Sequence, residues 1–194
     1  GTTIDATMFD MDGATGSTRW DIDAFLTVNV DQLGTAATHT VAGVLDIGSP
    51  LLARLNVQLT DSGASWIMSG QTNLVGVGAL QPTRIAGSPM LVQGDMSLSS
   101  GSVQITADTT FRSAGANVSI AQATSTLRMN NTTIVEAGAQ FGGAGVLRNS
   151  PTGVMRLDDG ATLATIGLVN DGVLEVAEGA GVASVDRFTN NATG

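Results

Sequence analysis

The chain has 194 residues, 17 acids against 8 basic residues for a net charge of −9, and no Cys or Tyr. At this length one core is expected, and with 13% charged against 42% apolar residues charge-dense disorder is excluded. The absence of cysteine removes disulfides, thiolate metal sites and thiol catalysis together, and the acidic balance leaves no basic stripe for nucleic acid. No apolar run approaches the roughly 20 residues that span a bilayer.

From the N-terminus, Ile4, Ala6 and Met8 alternate at period two, the pattern of a strand. Asp10, Asp12 and Asp21 follow at positions 1, 3 and 12 of a twelve-residue window, the spacing by which an EF-hand loop gathers carboxylates around calcium. Position 5 is Ala14, position 12 is Asp in place of Glu, and no flanking helix is expected, so the other reading is a turn followed by a strand with its carboxylates in water. These three residues are the candidate calcium ligands; no other cofactor is expected. The single His39 has no nucleophile context or acid beside it and reads as an ordinary surface histidine. Residues 47 to 59 contain Gly48 and Pro50 and read as a turn, then a strand over Leu55 to Leu59. Trp66 alternates like a packed strand residue, and the Gly-rich, uncharged stretch from Asn73 to Leu80 reads as buried core.

Further along, Val103 with Ile105, Val118 with Ile120, Leu127 to Met129 and Val173 to Val176 give short strands bounded by Gly, Asn, Asp and Ser. The last third repeats itself. Gly138, Gly160 and Gly179 recur 22 and 19 residues apart in Glu136-Ala137-Gly138-Ala139, Asp158-Asp159-Gly160-Ala161 and Ala177-Glu178-Gly179-Ala180. Asn149, Asn170 and Asn190 recur at 21 and 20, so two independent landmarks share a period near 20. Such a coil cannot bury its own apolar face, whereas stacked coils can. The fold expected is therefore all-β, a right-handed parallel β-helix of coils of about 20 residues, with a β-sandwich as the alternative. Asn in step is placed at a corner, in the left-handed conformation or stacking its amides along the axis.

The lines Gly145-Val146-Leu147-Arg148-Asn149, Gly153 to Leu163 and Gly167 to Val176 resemble the coils of the stalk or passenger β-helices of bacterial autotransporter-like adhesins and other large surface proteins. The resemblance covers residues 136 to 194 and weakens over 1 to 100. It implies an extracellular, elongated module, secreted or at the bacterial cell surface, that displays or spaces something, and it carries over no catalytic residue.

The domain expected is one β-solenoid over residues 1–194, with irregular coils in 1–100 and regular coils in 101–194, as a fragment of a longer chain. Phe188 to Gly194 offers no cap for the stack, so continuation of the chain or self-association through uncapped ends is expected. Asp158 with Asp159, or Asp95 with Asp108, are the acids available for glycoside hydrolysis; adjacent Asp158 and Asp159 point to opposite faces of a strand or lie together in a turn, and neither arrangement poses them across a sugar. The functional expectation is thus a non-catalytic structural or adhesive module with a glycan or cell-surface partner, the alternative being a protein that binds or cleaves polysaccharide.

Overall fold

The structure, a computed structural model, describes residues 2–6, 10–11, 19–22, 26–30, 38–41, 44–47, 56–60, 65–76, 82–112, 116–164, 166–184 and 187–191; before Trp66, side chains are described only for Leu45 and Ile47. Short runs of β-branched and apolar residues, each cut off by Gly, Asn or Asp, leave strands of two to five residues and no helix among the described residues. They assemble into three sheets in which every pairing is parallel, with each coil giving one strand to each sheet in turn. A sandwich of antiparallel sheets does not accommodate this pattern, so the β-solenoid stands and the alternative falls.

Sheet 1 holds nine strands: Thr2–Ala6, Leu26–Val30, Asn56–Thr60, Thr83–Gly87, Ser102–Ile105, Thr126–Met129, Val146–Asn149, Gly167–Asn170 and Arg187–Asn190. Sheet 2 holds eight, running from Asp10–Met11 through Thr38–Val41, Ser65–Met68, Met90–Val92, Thr109–Phe111, Thr132–Val135 and Val154–Leu157 to Val173–Val176. Sheet 3 holds eight, running from Arg19–Ile22 through Val44–Ile47, Gln71–Val75, Met96–Ser100, Asn117–Ile120, Gln140–Gly143 and Thr162–Ala164 to Gly181–Ser184.

Coil length differs along the axis. The step is 20 residues from Thr126 to Val146, 21 from Val146 to Gly167 and 20 from Gly167 to Arg187. Nearer the N-terminus it is 31 from Leu26 to Val57 and 28 from Asn56 to Arg84. The extra residues fall between strands, since the pairing itself is kept.

The interior is built from columns of aligned residues. Leu127, Leu147 and Leu168 stack from sheet 1; Met68, Val92, Phe111, Val135 and Leu157 from sheet 2; Ile47, Leu74, Leu98 and Ile120 from sheet 3. All of these are buried, and each contributes about 1.5–3 kcal/mol relative to an exposed side chain. Trp66 is buried in the same core, and Phe111 and Phe141 meet edge to face across it, ring centroids 4.8 Å apart at 77°.

One corner shows why the glycines recur. Glu136, Asp158 and Ala177 each accept a hydrogen bond from the backbone N–H three residues on, at Ala139, Ala161 and Ala180 (3.1, 3.0 and 3.2 Å). The third residue of each turn is Gly138, Gly160 or Gly179, with φ of 83°, 79° and 92°, the position and hand for which a type II turn demands glycine. Gly142 and Gly143, by contrast, end a strand of sheet 3, and Ala144 and Gly145 form a bend after it.

Candidate functional site

Along the inner side of sheet 1, the aligned residues Ile85, Ile105 and Met129 give way to Asn149, Asn170 and Asn190. Each asparagine is the last residue of its strand, and the first two are buried, so the corner assigned to them is instead an inward-facing strand position. Asn149 Nδ2 donates to Asn170 Oδ1 at 2.7 Å, and Asn170 Nδ2 donates to Asn190 Oδ1 at 2.9 Å. The first amide also reaches the carbonyls of Val173 (2.8 Å) and Gly153 (3.3 Å), and the second that of Gly172 (3.0 Å), which ties the turn after sheet 1 to the ladder. Asn149 Oδ1 is buried without a hydrogen-bond partner; the rung before it is Met129, which has no donor to offer.

A parallel polar row lies one residue further on. Ser150 Oγ donates to Asn130 Oδ1 (2.6 Å) and receives Arg128 Nε (2.7 Å), while Asp171 accepts Arg148 Nε (2.6 Å) and Asn191 Nδ2 (2.9 Å). The Asn191 amide, with the Arg148 and Arg128 guanidinium groups behind it, holds the Asp171 carboxyl below the usual carboxylate range, against the burial that pushes it up.

On the opposite side, between sheets 2 and 3, an open cleft of about 450 Å³ is lined by Ser69, Gly70, Gln71, Gln93, Gly94, Asp95 and Asn117. The two sheets are joined here by short links, Ser69-Gly70 in one coil and Gln93-Gly94-Asp95 in the next. The backbone N–H groups of Gln93 and Gly94 both donate to Met68 O (2.8 and 3.0 Å), and a Cβ on Gly94 would fall on the backbone of Ser69 and Gly70. Asn117 Nδ2 donates to Asp95 Oδ1 at 3.0 Å; beside them Gln71 Nε2 and Ser97 Oγ both donate to Asn73 Oδ1 (3.0 and 2.9 Å). Amides, hydroxyls and one carboxylate in an open trough are groups that hydrogen-bond a polyol. The pair of carboxylates that glycoside hydrolysis uses is not among the cleft's lining residues.

Asp158 is paired with Arg156 (2.7 Å) and Asp159 is exposed in the adjoining turn. Asp95 precedes a strand of sheet 3, whereas Asp108 precedes one of sheet 2 and accepts the Thr132 N–H at 3.1 Å. Of the candidate calcium ligands, Asp10 opens a strand of sheet 2 and Asp21 lies in a strand of sheet 3, aligned with Asp46; Asp12 is outside the described residues. Among the described residues no group of three or more His, Asp or Glu stands close enough to hold a metal. His39 is in a strand of sheet 2, aligned with Trp66.

Sequence reasoning missed the cleft. Gln71, Gln93, Asp95 and Asn117 belong to no local motif; the link between Asp95 and Asn117 is a separation of 22 residues, one coil. Scanning for polar residues one coil apart is the signal that finds them. No protein-family model, no curated protein sequence and no solved structure matches the chain.

Proposed function

We propose that this chain is a non-catalytic structural or adhesive β-helix module of a secreted or cell-surface bacterial protein. The observation that carries the proposal is the use of the interior: coil after coil, the inward positions are given to packing and to an amide ladder that joins Asn149, Asn170 and Asn190 along the axis. That is an investment in a regular, extended scaffold. The composition, rich in Thr, Ser, Asn, Gly and Ala without Lys or Cys, supports the extracellular assignment by association.

A second reading, binding or cleavage of polysaccharide, draws support from the cleft of Gln71, Gln93, Asp95 and Asn117. Incubating the protein with neutral and acidic polysaccharides, with calcium and with chelator, and scoring new chain ends separates the non-catalytic reading from cleavage. A constant number of chain ends is expected. Release of oligosaccharides would overturn the non-catalytic proposal and direct attention to Asp95.

A further inference from the structure

We infer that the outer face of sheet 1 is a docking stripe for a linear acidic polysaccharide lying along the solenoid axis. The inference rests on the adhesive reading above and names the chemistry of the partner.

Arginine is unevenly distributed over the three faces. Arg84, Gln104, Arg128 and Arg148 occupy one outward-facing position in four consecutive coils, each aligned on the next. Arg187 stands two coils beyond Arg148, displaced by two residues along the strand. From Thr83 onward the strands of sheet 1 thus hold four of the eight arginines and no Asp or Glu, in a chain whose net charge is −9. Asp171, just past one of these strands, accepts from Arg148 and leaves the face with a positive excess.

The geometry of the row suits a polyanion. Successive coils are about 4.8 Å apart, so Arg128 and Arg148 are neighbours and Arg84 lies two steps away. Like charges directly opposite on adjacent strands repel, and an anion between them removes that penalty. Arg128 and Arg148 are anchored through Nε, to Ser150 at 2.7 Å and Asp171 at 2.6 Å, and their terminal nitrogens make no hydrogen bond among the described residues. A guanidinium group held in this way presents a preorganised fork to carboxylate or sulfate oxygens. Gln104, between Arg84 and Arg128, offers an amide to a hydroxyl. A chain of acidic sugars supplies charge in regular steps of the same order as the coil spacing. Nucleic acid fits less well: phosphates are denser, and these strands hold a single aromatic residue, Phe188, exposed on the last rung, which gives no series of rings for successive bases.

The test uses the full chain against immobilised polygalacturonate, with dextran as the neutral comparison, at low and at physiological salt. Retention on polygalacturonate alone, weakening as salt rises, is expected. The double variant Arg84→Gln, Arg128→Gln keeps the Arg148 pair with Asp171 intact, loses the Arg128 bond to Ser150, and should raise the half-saturation concentration about tenfold with unchanged circular dichroism. The control, Arg112→Gln with Arg156→Gln beside sheet 2, should stay within about twofold of wild type. Absence of retention at low salt, equal retention on dextran, or equal losses in the double variant and the control would each overturn the stripe and leave the scaffold proposal untouched. New reducing ends in the bound fraction would do the reverse. Variants that dissolve an oligomer without affecting retention would make the face a contact between copies and also overturn the proposal.

Discussion

Asn149 and Asn170 are joined amide to amide at 2.7 Å inside the solenoid, 21 residues apart in sequence and on neighbouring rungs of sheet 1. Both are buried, so each hydrogen bond here replaces water that cannot return. Asn170 is the middle member, accepting from Asn149 and donating to Asn190 and to Gly172 O. Asn170→Ala therefore removes three hydrogen bonds at once, those from Asn149 Nδ2 and to Asn190 Oδ1 and Gly172 O, and should lower stability by about 2–3 kcal/mol. Asn190→Ala, at the exposed member, should cost about 1 kcal/mol. Equal losses in guanidinium denaturation would show that the ladder does not act as a chain.

Two glycines make a paired test of close packing. A Cβ on Gly153 would collide with Asn149 Oδ1 and stand 3.1 Å from Met129 O, whereas one on Gly142 would meet only Ala164 O at an ordinary 3.5 Å. Gly153→Ala is expected to cost about 2 kcal/mol, because it displaces the first amide of the ladder. Gly142→Ala should be neutral or stabilise by about 0.5 kcal/mol through the loss of unfolded-state freedom. Thermal melts of the two variants side by side decide this, and a matching drop in both would be the contrary result.

Asp171 gives the chain a defined acid response. Its folded carboxyl titrates below the usual range, so the stability it contributes is complete above the ordinary carboxylate value of about 3.9 and is lost as pH falls through the folded value. The stability gap between wild type and Asp171→Asn, about 1 kcal/mol at neutral pH, should close in that acid window. A gap that stays constant throughout an acid titration would contradict the assignment.

Phe141 closes the core against Phe111, with both rings buried. Phe141→Ala should cost about 4 kcal/mol, since the three sheets are fixed by their ladders and cannot collapse into the space. A loss below about 1.5 kcal/mol, measured by chemical denaturation, would mean that the coil repacks freely.

The fold was legible because residues with strict backbone requirements repeat with the coil. Gly138, Gly160 and Gly179 must sit where φ is positive, and no other residue satisfies that position cheaply, so the period is visible without alignment. The N-terminal coils hid theirs: steps of 31 and 28 residues put insertions between strands, and register is kept by the backbone, which leaves no mark in the sequence. Asn149, Asn170 and Asn190 were visible as a series, yet whether an asparagine turns a corner or faces inward depends on where the strand ends, and short strands give few residues from which to judge. The cleft of Gln71, Gln93, Asp95 and Asn117 and the arginine row of sheet 1 were invisible for one reason. Their members are neighbours only after coiling.

The registers have a consequence for the size of the molecule. Thr126 aligns with Val146 and Val146 with Gly167, and the inward leucines Leu127, Leu147 and Leu168 are interchangeable from one coil to the next. Removing or duplicating one such coil shortens or lengthens the rod by about 4.8 Å and leaves its cross-section intact. Reach is thus a quantity that can be adjusted in whole steps, independently of what the sides of the rod hold.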